Sequence, residues 1–434
     1  MSGKNTCVIY APVDTLSGYG SRARDTVKSI IDLKKDEWDI KIIPCGWGNT
    51  PIGFTNENPE WKFLQDYFIS GQLTSQPDIF VWITIPTEFQ KVGKYNIGIT
   101  AGLETDIVPG DWVEGVNRMD LVLVSSEHSK KSFLDSKYQK QNPQTKQIEG
   151  TIEITTPIEV LFEGVDTNVY KFLDTSNREI GALNTIPEEF CYLFVGHWLQ
   201  GDLGEDRKNV GILIKAFFEL FKNKKNRPAL VLKTSMVGPS YMDRDEILKR
   251  IQMIRETVNS TDLPNIYLLH GEFTDEEMNQ IYNHPKVKAM VSLTKGEGFG
   301  RPLLEFTQSK KPIIATNWSG HIDFLNPEFT SLINGNLTNV HPSAANQWLI
   351  KEAKWFTPDT GQVGHYLKDV YENYKNYVDG GKRQGYYAKT NFSFEKMTEK
   401  LAEYLKRIPE IPKQVQLKLP QLKKIELPKL QKVD

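Results

Sequence analysis

The chain has 434 residues, with 53 lysines and arginines against 55 aspartates and glutamates, for a formal net charge of −2. This length favours two or three domains over one small module, and 39% hydrophobic with 11% aromatic residues is enough to bury sizeable cores, which excludes global disorder. The near-neutral balance argues against a protein that grips nucleic acid by bulk charge, although a local basic groove would not register in this arithmetic.

Cys7, Cys45 and Cys191 are scattered, form no C-x-x-C pair and have no clustered histidine, which argues against a disulfide framework or a zinc site. The N-terminus reaches Asp14 too soon for a signal-peptide apolar core. No apolar stretch approaches the roughly 20 residues of a membrane-spanning helix. A cytoplasmic protein is the expectation.

Thr6 to Ala11 reads as a buried strand, followed by a loop with Gly18 and Gly20 and a helical pattern from about Arg22 to Leu33. Ile40 to Pro44, Ile79 to Ile83, Ile97 to Thr100, Leu121 to Ser125 and Glu159 to Phe162 are further strands of a first half. A polar connection, Lys171 to Glu189, leads to a second series with strands Phe190 to Val195, Ala229 to Lys233, Ile266 to His270, Ala289 to Leu293 and Pro312 to Thr316. Its helices fall near Val210 to Phe221, Arg244 to Val258, Glu276 to Asn283 and Pro302 to Ser309. Strands alternating with helices imply two doubly wound α/β halves with parallel sheets, and a ligand cleft outside the carboxyl ends of their strands.

The boundaries that follow are a first domain over 1–180, a second over 188–380, a C-terminal helix over about 385–408 packing back on the first, and a tail over 409–434. The tail has two Leu-Pro steps and six lysines against three acids. Its prolines forbid a continuous helix. It reads as an extended appendage or as a docking strand for a partner or a second copy of the chain.

The most informative stretch is Ser292-Leu-Thr-Lys-Gly-Glu297-Gly-Phe-Gly-Arg-Pro302-Leu-Leu-Glu305. It leaves a strand, passes three glycines and enters a helix with Pro302 in its first turn, a geometry that offers backbone donors to a phosphate. Glu297 and Glu305 gain nothing from a phosphate; they are better explained as acceptors for hydroxyls on either side of one. That combination describes a sugar nucleotide.

The E-G-F-G-R-P-L-L-E run resembles the donor-site signature of retaining glycosyltransferases of the GT-B fold, especially glycosyltransferase family 4. Glu163-Gly-Val-Asp166, Phe194-Val-Gly196, Lys208-Asn209 and Thr316-Asn-Trp-Ser-Gly320 fall in that family's order. The resemblance implies two Rossmann-like doubly wound domains facing a central cleft, a nucleotide-diphosphate sugar as donor, with UDP-sugar favoured, and no cofactor or metal. It implies that Glu297 meets the donor sugar, that the backbone of Gly298, Phe299 and Gly300 approaches sugar and diphosphate, and that Glu305 accepts from the ribose. Lys208 would neutralise the diphosphate, with Gly196 alongside and Gly18 and Gly20 approaching from the opposite domain.

Two positions depart from the family. His197 stands where an arginine is usual, so Arg207 is expected to supply the second cation. Gly102-Leu-Glu104-Thr-Asp106 replaces a histidine near the transferred sugar, leaving Glu104 or Asp106 to fill that space. Fixed cations would stabilise the leaving diphosphate, and the acceptor hydroxyl would attack on the face it leaves, as proposed for retaining members. Trp112, in the PGDW segment, is a candidate to stack on an acceptor; Trp47, Trp82 and Trp198 read as packing. His128 and His270 read as structural, whereas His321, in the donor-side loop, is equally open to a functional role. Glycan, lipid, protein and a hydroxylated DNA base all remain open as acceptors.

Two rival readings are a non-catalytic sugar-nucleotide or glycan-binding module and an NAD-dependent oxidoreductase. The second rests on Gly18-Tyr-Gly20-Ser-Arg-Ala23, which matches G-x-G-x-x-A, but its first glycine comes too late after Ala11 for a dinucleotide turn.

Overall fold

The computed structural model describes residues 4–70, 73–142, 144–174, 181–236, 238 and 240–412. Most of the basic tail, residues 413–434, lies outside the described residues, and so does its expected docking role.

In the first half, β1 (Asn5–Ala11), α1 (Gly18–Lys34), β2 (Trp38–Pro44), α2 (Phe54–Glu57), β3 (Ile79–Ile83), β4 (Tyr95–Thr100), α3 (Gly110–Val116), β5 (Leu121–Val124) and α4 (Glu127–Asp135) follow in order. An antiparallel pair, β6 (Tyr138–Gln141) and β7 (Ile148–Ile152), precedes β8 (Ile158–Val160). The parallel sheet runs β2-β1-β3-β4-β5-β8. Its direction of winding reverses between β1 and β3. The strands read as apolar runs because helices cover both faces; Val8, Ile9, Val81, Ile97 and Leu123 are all at most 1% exposed.

The second half contains β9 (Cys191–Val195), α5 (Val210–Phe221), β10 (Ala229–Lys233), α6 (Tyr241–Glu256), β11 (Ile266–Leu269), α7 (Asp275–Asn283), β12 (Val287–Ser292), α8 (Arg301–Thr307), β13 (Ile313–Thr316) and β14 (Ser331–Ile333). Their order, β11-β10-β9-β12-β13-β14, puts the switch point between β9 and β12. Ligands of such sheets bind outside the carboxyl ends at this point. The loops that leave β9 and β12 carry Arg207-Lys208 and Glu297.

An antiparallel hairpin, β15 (Gly335–Asn339) and β16 (Lys354–Pro358), extends from β14, with residues 340–353 between its strands. Neither this hairpin nor β6/β7 is legible from apolar runs, because β15 and β7 are largely exposed. After α9 (Thr360–Glu372), two helices occupy the region where a single returning helix is expected: α10 (Lys375–Asn391) and α11 (Phe394–Leu405).

The break between them at Phe392-Ser393 has a physical reason. Gln384 of α10 binds the second half, donating to the Phe324 carbonyl at 2.7 Å and accepting from Asn326 N–H at 2.9 Å. In α11, Thr398 meets Ser29 of α1 at 2.7 Å and Tyr404 donates to the Val160 carbonyl at 2.8 Å. The chain therefore changes partners at the break, where the Phe392 ring packs between Phe162 and Phe324 and Ser393 caps α11 through Lys396 N–H.

Candidate active site

The glycine loop between β12 and α8 is shaped by contact with the first half. A Cβ on Gly296 would sit 2.0 Å from the Glu104 carbonyl oxygen, and one on Gly298 would sit 2.5 Å from that of Ala101. Only glycine lets the two backbones approach this closely. Gly300 enters α8 at φ +96°, and Pro302 follows in the first turn, where no N–H is needed.

The hydroxyls of Ser125, Ser126 and Ser129 lie 2.9, 2.6 and 3.2 Å from the Gly298 carbonyl oxygen. From the other side, Glu297 N–H donates to Ser319 Oγ at 2.9 Å and Gly320 N–H to the Glu297 carbonyl at 3.0 Å. The loop is thus held by both halves of the molecule.

Two cations converge on it. Asp206 accepts from Val210 N–H at 2.9 Å and caps α5, so that Arg207 and Lys208 project from a turn that Asn209 closes in the left-handed conformation, φ +55°. Lys295 N–H donates to the Arg207 carbonyl at 2.8 Å, tying this turn to the β12 loop. Lys208 Nζ is paired with Glu297 Oε1. Arg207 Nη1 lies 2.9 Å from Glu104 Oε1 and 3.7 Å from Glu297 Oε2.

Lys208 and Glu297 are buried, 8% and 7% exposed. Burial pushes the Glu297 carboxyl up, but Lys208 and Arg207 outweigh it and hold the group below the usual carboxylate range. Burial, with Arg207 beside it, pulls Lys208 down despite Glu297. The stem of Lys208 crosses Gly196, where a Cβ would lie 3.4 Å from Lys208 Cε. His197 is exposed and turns its Nδ1 to Ser235 Oγ at 3.0 Å; partial desolvation and the neighbouring charges of Arg207 and Lys208 shift it down.

Glu305 lies in a second charged cluster. Its Oε1 accepts from Arg301 Nε at 2.9 Å and its Oε2 from Tyr282 at 3.2 Å. Burial pushes its carboxyl up to about 7, against the pull of Arg301. Arg301 Nη1 reaches Asp25 at 2.6 Å and Glu163 at 3.9 Å, and Glu163 meets Arg22 at 3.5 Å. Lys233 joins this end of the site: its Nζ is 5.5 Å from the Phe273 ring centroid, and it interacts with Glu272 and Glu305.

Glu104 and Asp106 separate. Glu104 enters the cation cluster, whereas Asp106 Oδ1 accepts from Lys354 N–H at 2.6 Å and pins the first half to β16. Gly18 opens α1 with free space above it, and Gly20 passes so close to the Thr15 carbonyl that a Cβ would sit 2.2 Å away. Between them, Tyr19 reaches Thr100 Oγ1 at 2.9 Å, docking this turn beside the Glu104 loop.

Trp112 is a correction. It is 2% exposed and packs against Phe133 and Trp348, so its ring belongs to a core and offers no face to an acceptor. His321 is fully buried, with Nε2 donating to the Thr316 carbonyl at 2.6 Å. His270 meets Asp243 at 2.9 Å, and His128 lies edge-on to Trp318 with its ring centroid 4.6 Å away.

Sequence reasoning missed Asp25, Tyr282, Arg301 and the three serines. Arg301 had a signal, since it stands four residues before Glu305 on the same helix face. The serines had none, because they act from the other domain.

Two Rossmann-like domains facing each other across the carboxyl ends of their strands form the GT-B architecture. Residues 192–346 match the model of a family described as Glycosyl transferases group 1. No curated protein matches the chain by sequence. Among solved structures, Anabaena HepE in complex with UDP and glucose is similar at 12% identity and a TM-score of 0.59, over 93% of this chain and 100% of that one. A glycosyltransferase from Rickettsia africae is similar at 15% identity and 0.60, over 93% and 98%, and sucrose-phosphate synthase from Thermosynechococcus elongatus at 12% and 0.58, over 93% and 98%. No helix among the described residues is long and apolar enough to cross a membrane.

Proposed function

We propose that the protein transfers a sugar from a nucleotide-diphosphate sugar, with UDP-sugar favoured, to an acceptor hydroxyl, with retention and without a metal, in the manner of glycosyltransferase family 4. The observation that carries this reading is the convergence of Lys208 and Arg207 on Glu297 within the glycine loop, at the switch point of the second sheet. The bound UDP and glucose of HepE support the choice of donor.

Breaking the bond between the anomeric carbon and the diphosphate leaves negative charge on the departing oxygen. Lys208 and Arg207 stabilise that charge from fixed positions in a site that largely excludes water. Glu297, released from Lys208 by the incoming diphosphate, accepts hydrogen bonds from sugar hydroxyls, and Glu305, positioned by Arg301 and Tyr282, receives the ribose. Glu104 holds Arg207 in place and lies where the family histidine is expected, beside the transferred sugar. Gly18 leaves room for the phosphates on the first-domain side, and Gly20 lets the turn that presents it close against Thr15.

The test is a panel of nucleotide sugars, scored by thermal stabilisation of the protein and by slow release of the nucleoside diphosphate, with the anomeric configuration of the product read by NMR. A UDP-sugar should stabilise the fold and yield a product of unchanged configuration. An inverted product removes the retaining mechanism, and the absence of any nucleotide-sugar binding removes the function.

A further inference from the structure

Lys295, between β12 and the glycine loop, is sealed in the interior at 2% exposure. Lysine is almost never buried unless it is paired. Its Nζ lies 3.6 Å from Glu205 Oε2, donates to Thr357 Oγ1 of β16 at 3.2 Å and stands 5.1 Å from the Trp355 ring centroid. Burial pulls the ammonium down, and Glu205 and Asp206 offset part of that pull.

The main chain of Lys295 makes two more bonds. Its N–H donates to the Arg207 carbonyl at 2.8 Å, and its carbonyl accepts from Phe356 N–H at 2.8 Å. One residue therefore joins three segments: the loop that carries Glu297, the loop that delivers Arg207 and Lys208, and the hairpin strand β16.

The loop over 200–208 has little burial of its own to fix it. Asp202 and Leu203 are exposed, and Gly201 and Gly204 take φ +145° and +84°. Its bond to the hairpin from Asp202 N–H to Ser343 Oγ, at 2.9 Å, is open to water. Glu205, two residues before Arg207, is instead tied to a cation in the interior.

The charge of Lys295 adds little to stability, since replacing a buried ion pair by packed apolar groups is often neutral or stabilising. Its value lies in where it places its neighbours. Arg207 Nη1 stands 2.9 Å from Glu104 and 3.7 Å from Glu297, and a displacement of about 1 Å in such a group can cost about 10²-fold in rate.

We propose that Lys295 is a positioning residue for sugar transfer: through Glu205 it sets where Arg207 stands, and it acts on the donor only through that arginine. The inference rests on the donor reading above.

The experiment uses the full chain with UDP-glucose as donor. Slow UDP release gives kcat and KM, and amide hydrogen exchange followed by mass spectrometry reports on residues 200–208. Lys295→Met and Glu205→Gln should each lower kcat about tenfold or more while KM stays within about threefold, and each should quicken exchange in that loop. Glu205→Gln covers the event that Lys295→Met does not fold. Arg207→Ala keeps Lys208 and with it a measurable rate. In that background there is no guanidinium left to position, so adding Lys295→Met should change kcat by less than about twofold.

A kcat loss that persists in full beside Arg207→Ala overturns the inference, because the lysine then acts by another route. An undiminished kcat in the folded single variants overturns it too, as does unchanged exchange over 200–208. A wild-type protein that turns over neither UDP-glucose nor any other nucleotide sugar defeats the donor reading, and the role in transfer with it. Quickened exchange in Lys295→Met would show in that case that the donor reading failed and the tie to the loop did not.

Discussion

Arg301, the first residue of α8, crosses the domain boundary to Asp25 of α1 at 2.6 Å while its Nε holds Glu305 on its own helix at 2.9 Å. One guanidinium therefore ties the proposed ribose carboxylate to the helix that follows the first glycine turn. Removing it takes the cation from two buried carboxylates, Asp25 and Glu305, while Glu163 keeps Arg22. Arg301→Met should cost about 3–5 kcal/mol of stability, read by denaturant unfolding, and Asp25→Asn should cost less because it leaves the Arg301–Glu305 pair intact. Equal losses in the two variants would contradict this bridging role.

In the proposed reaction, Lys208 acts on charge that develops as the diphosphate leaves. Lys208→Ala should lower sugar transfer by roughly 10²–10³-fold, as for other lost electrostatic stabilisers, with the fold preserved because Arg207 still faces Glu297. Glu297→Ala should also lower transfer by orders of magnitude. Unchanged transfer in either variant would remove that residue from the mechanism.

The raised carboxyl of Glu305, at about 7, gives a signed pH effect. Its ordinary value is about 4.3, so the folded state holds the proton more tightly than the unfolded state does. Stability from that proton is complete below about pH 4.3 and is lost as pH rises through about 7. Between about pH 5 and about pH 8 the wild type should lose melting temperature relative to Glu305→Gln. Parallel curves for the two proteins would count against the assignment.

Contact between the domains at the glycine loop can be tested sterically. Gly298→Ala places a methyl group 2.5 Å from the Ala101 carbonyl oxygen, and strain of this kind costs about 1–3 kcal/mol. The variant should melt earlier and transfer sugar more slowly. Ser126→Ala removes one donor from the same carbonyl and should cost only about 1 kcal/mol.

Trp112 should behave as a core residue. Trp112→Ala should destabilise the protein by about 3–5 kcal/mol, measured by thermal or chemical unfolding, without a selective rise in acceptor KM. A stable variant with weakened acceptor use would restore it to the site.

The fold was largely legible because parallel strands covered on both faces, such as Ile79–Ile83 and the Ala229-Leu-Val-Leu232 stretch of β10, are written as apolar runs. The proposed donor residues were legible for a different reason: the glycines at 296 and 298 and the acids at 297 and 305 lie close together in sequence. What escaped was either exposed, as in β15, or assembled across the molecule, as when Ser125 and Ser126 meet Gly298. Trp112 misled because proximity to Glu104 in sequence does not imply proximity to the cleft; α3 turns its ring inward to Phe133.

The pairing of Lys208 with Glu297 has a consequence for selectivity at rest. An anion entering the site must displace a carboxylate that already belongs to the protein. A lone inorganic phosphate has little to offer in that exchange, since it replaces one such contact with another and leaves Glu297 facing a new negative charge. In the proposed reading, a sugar diphosphate brings hydroxyls for the displaced Glu297 as well as oxygens for Lys208, so both halves of the broken pair find a partner. On that reading the built-in carboxylate acts as a competitor that abundant phosphate must overcome unaided.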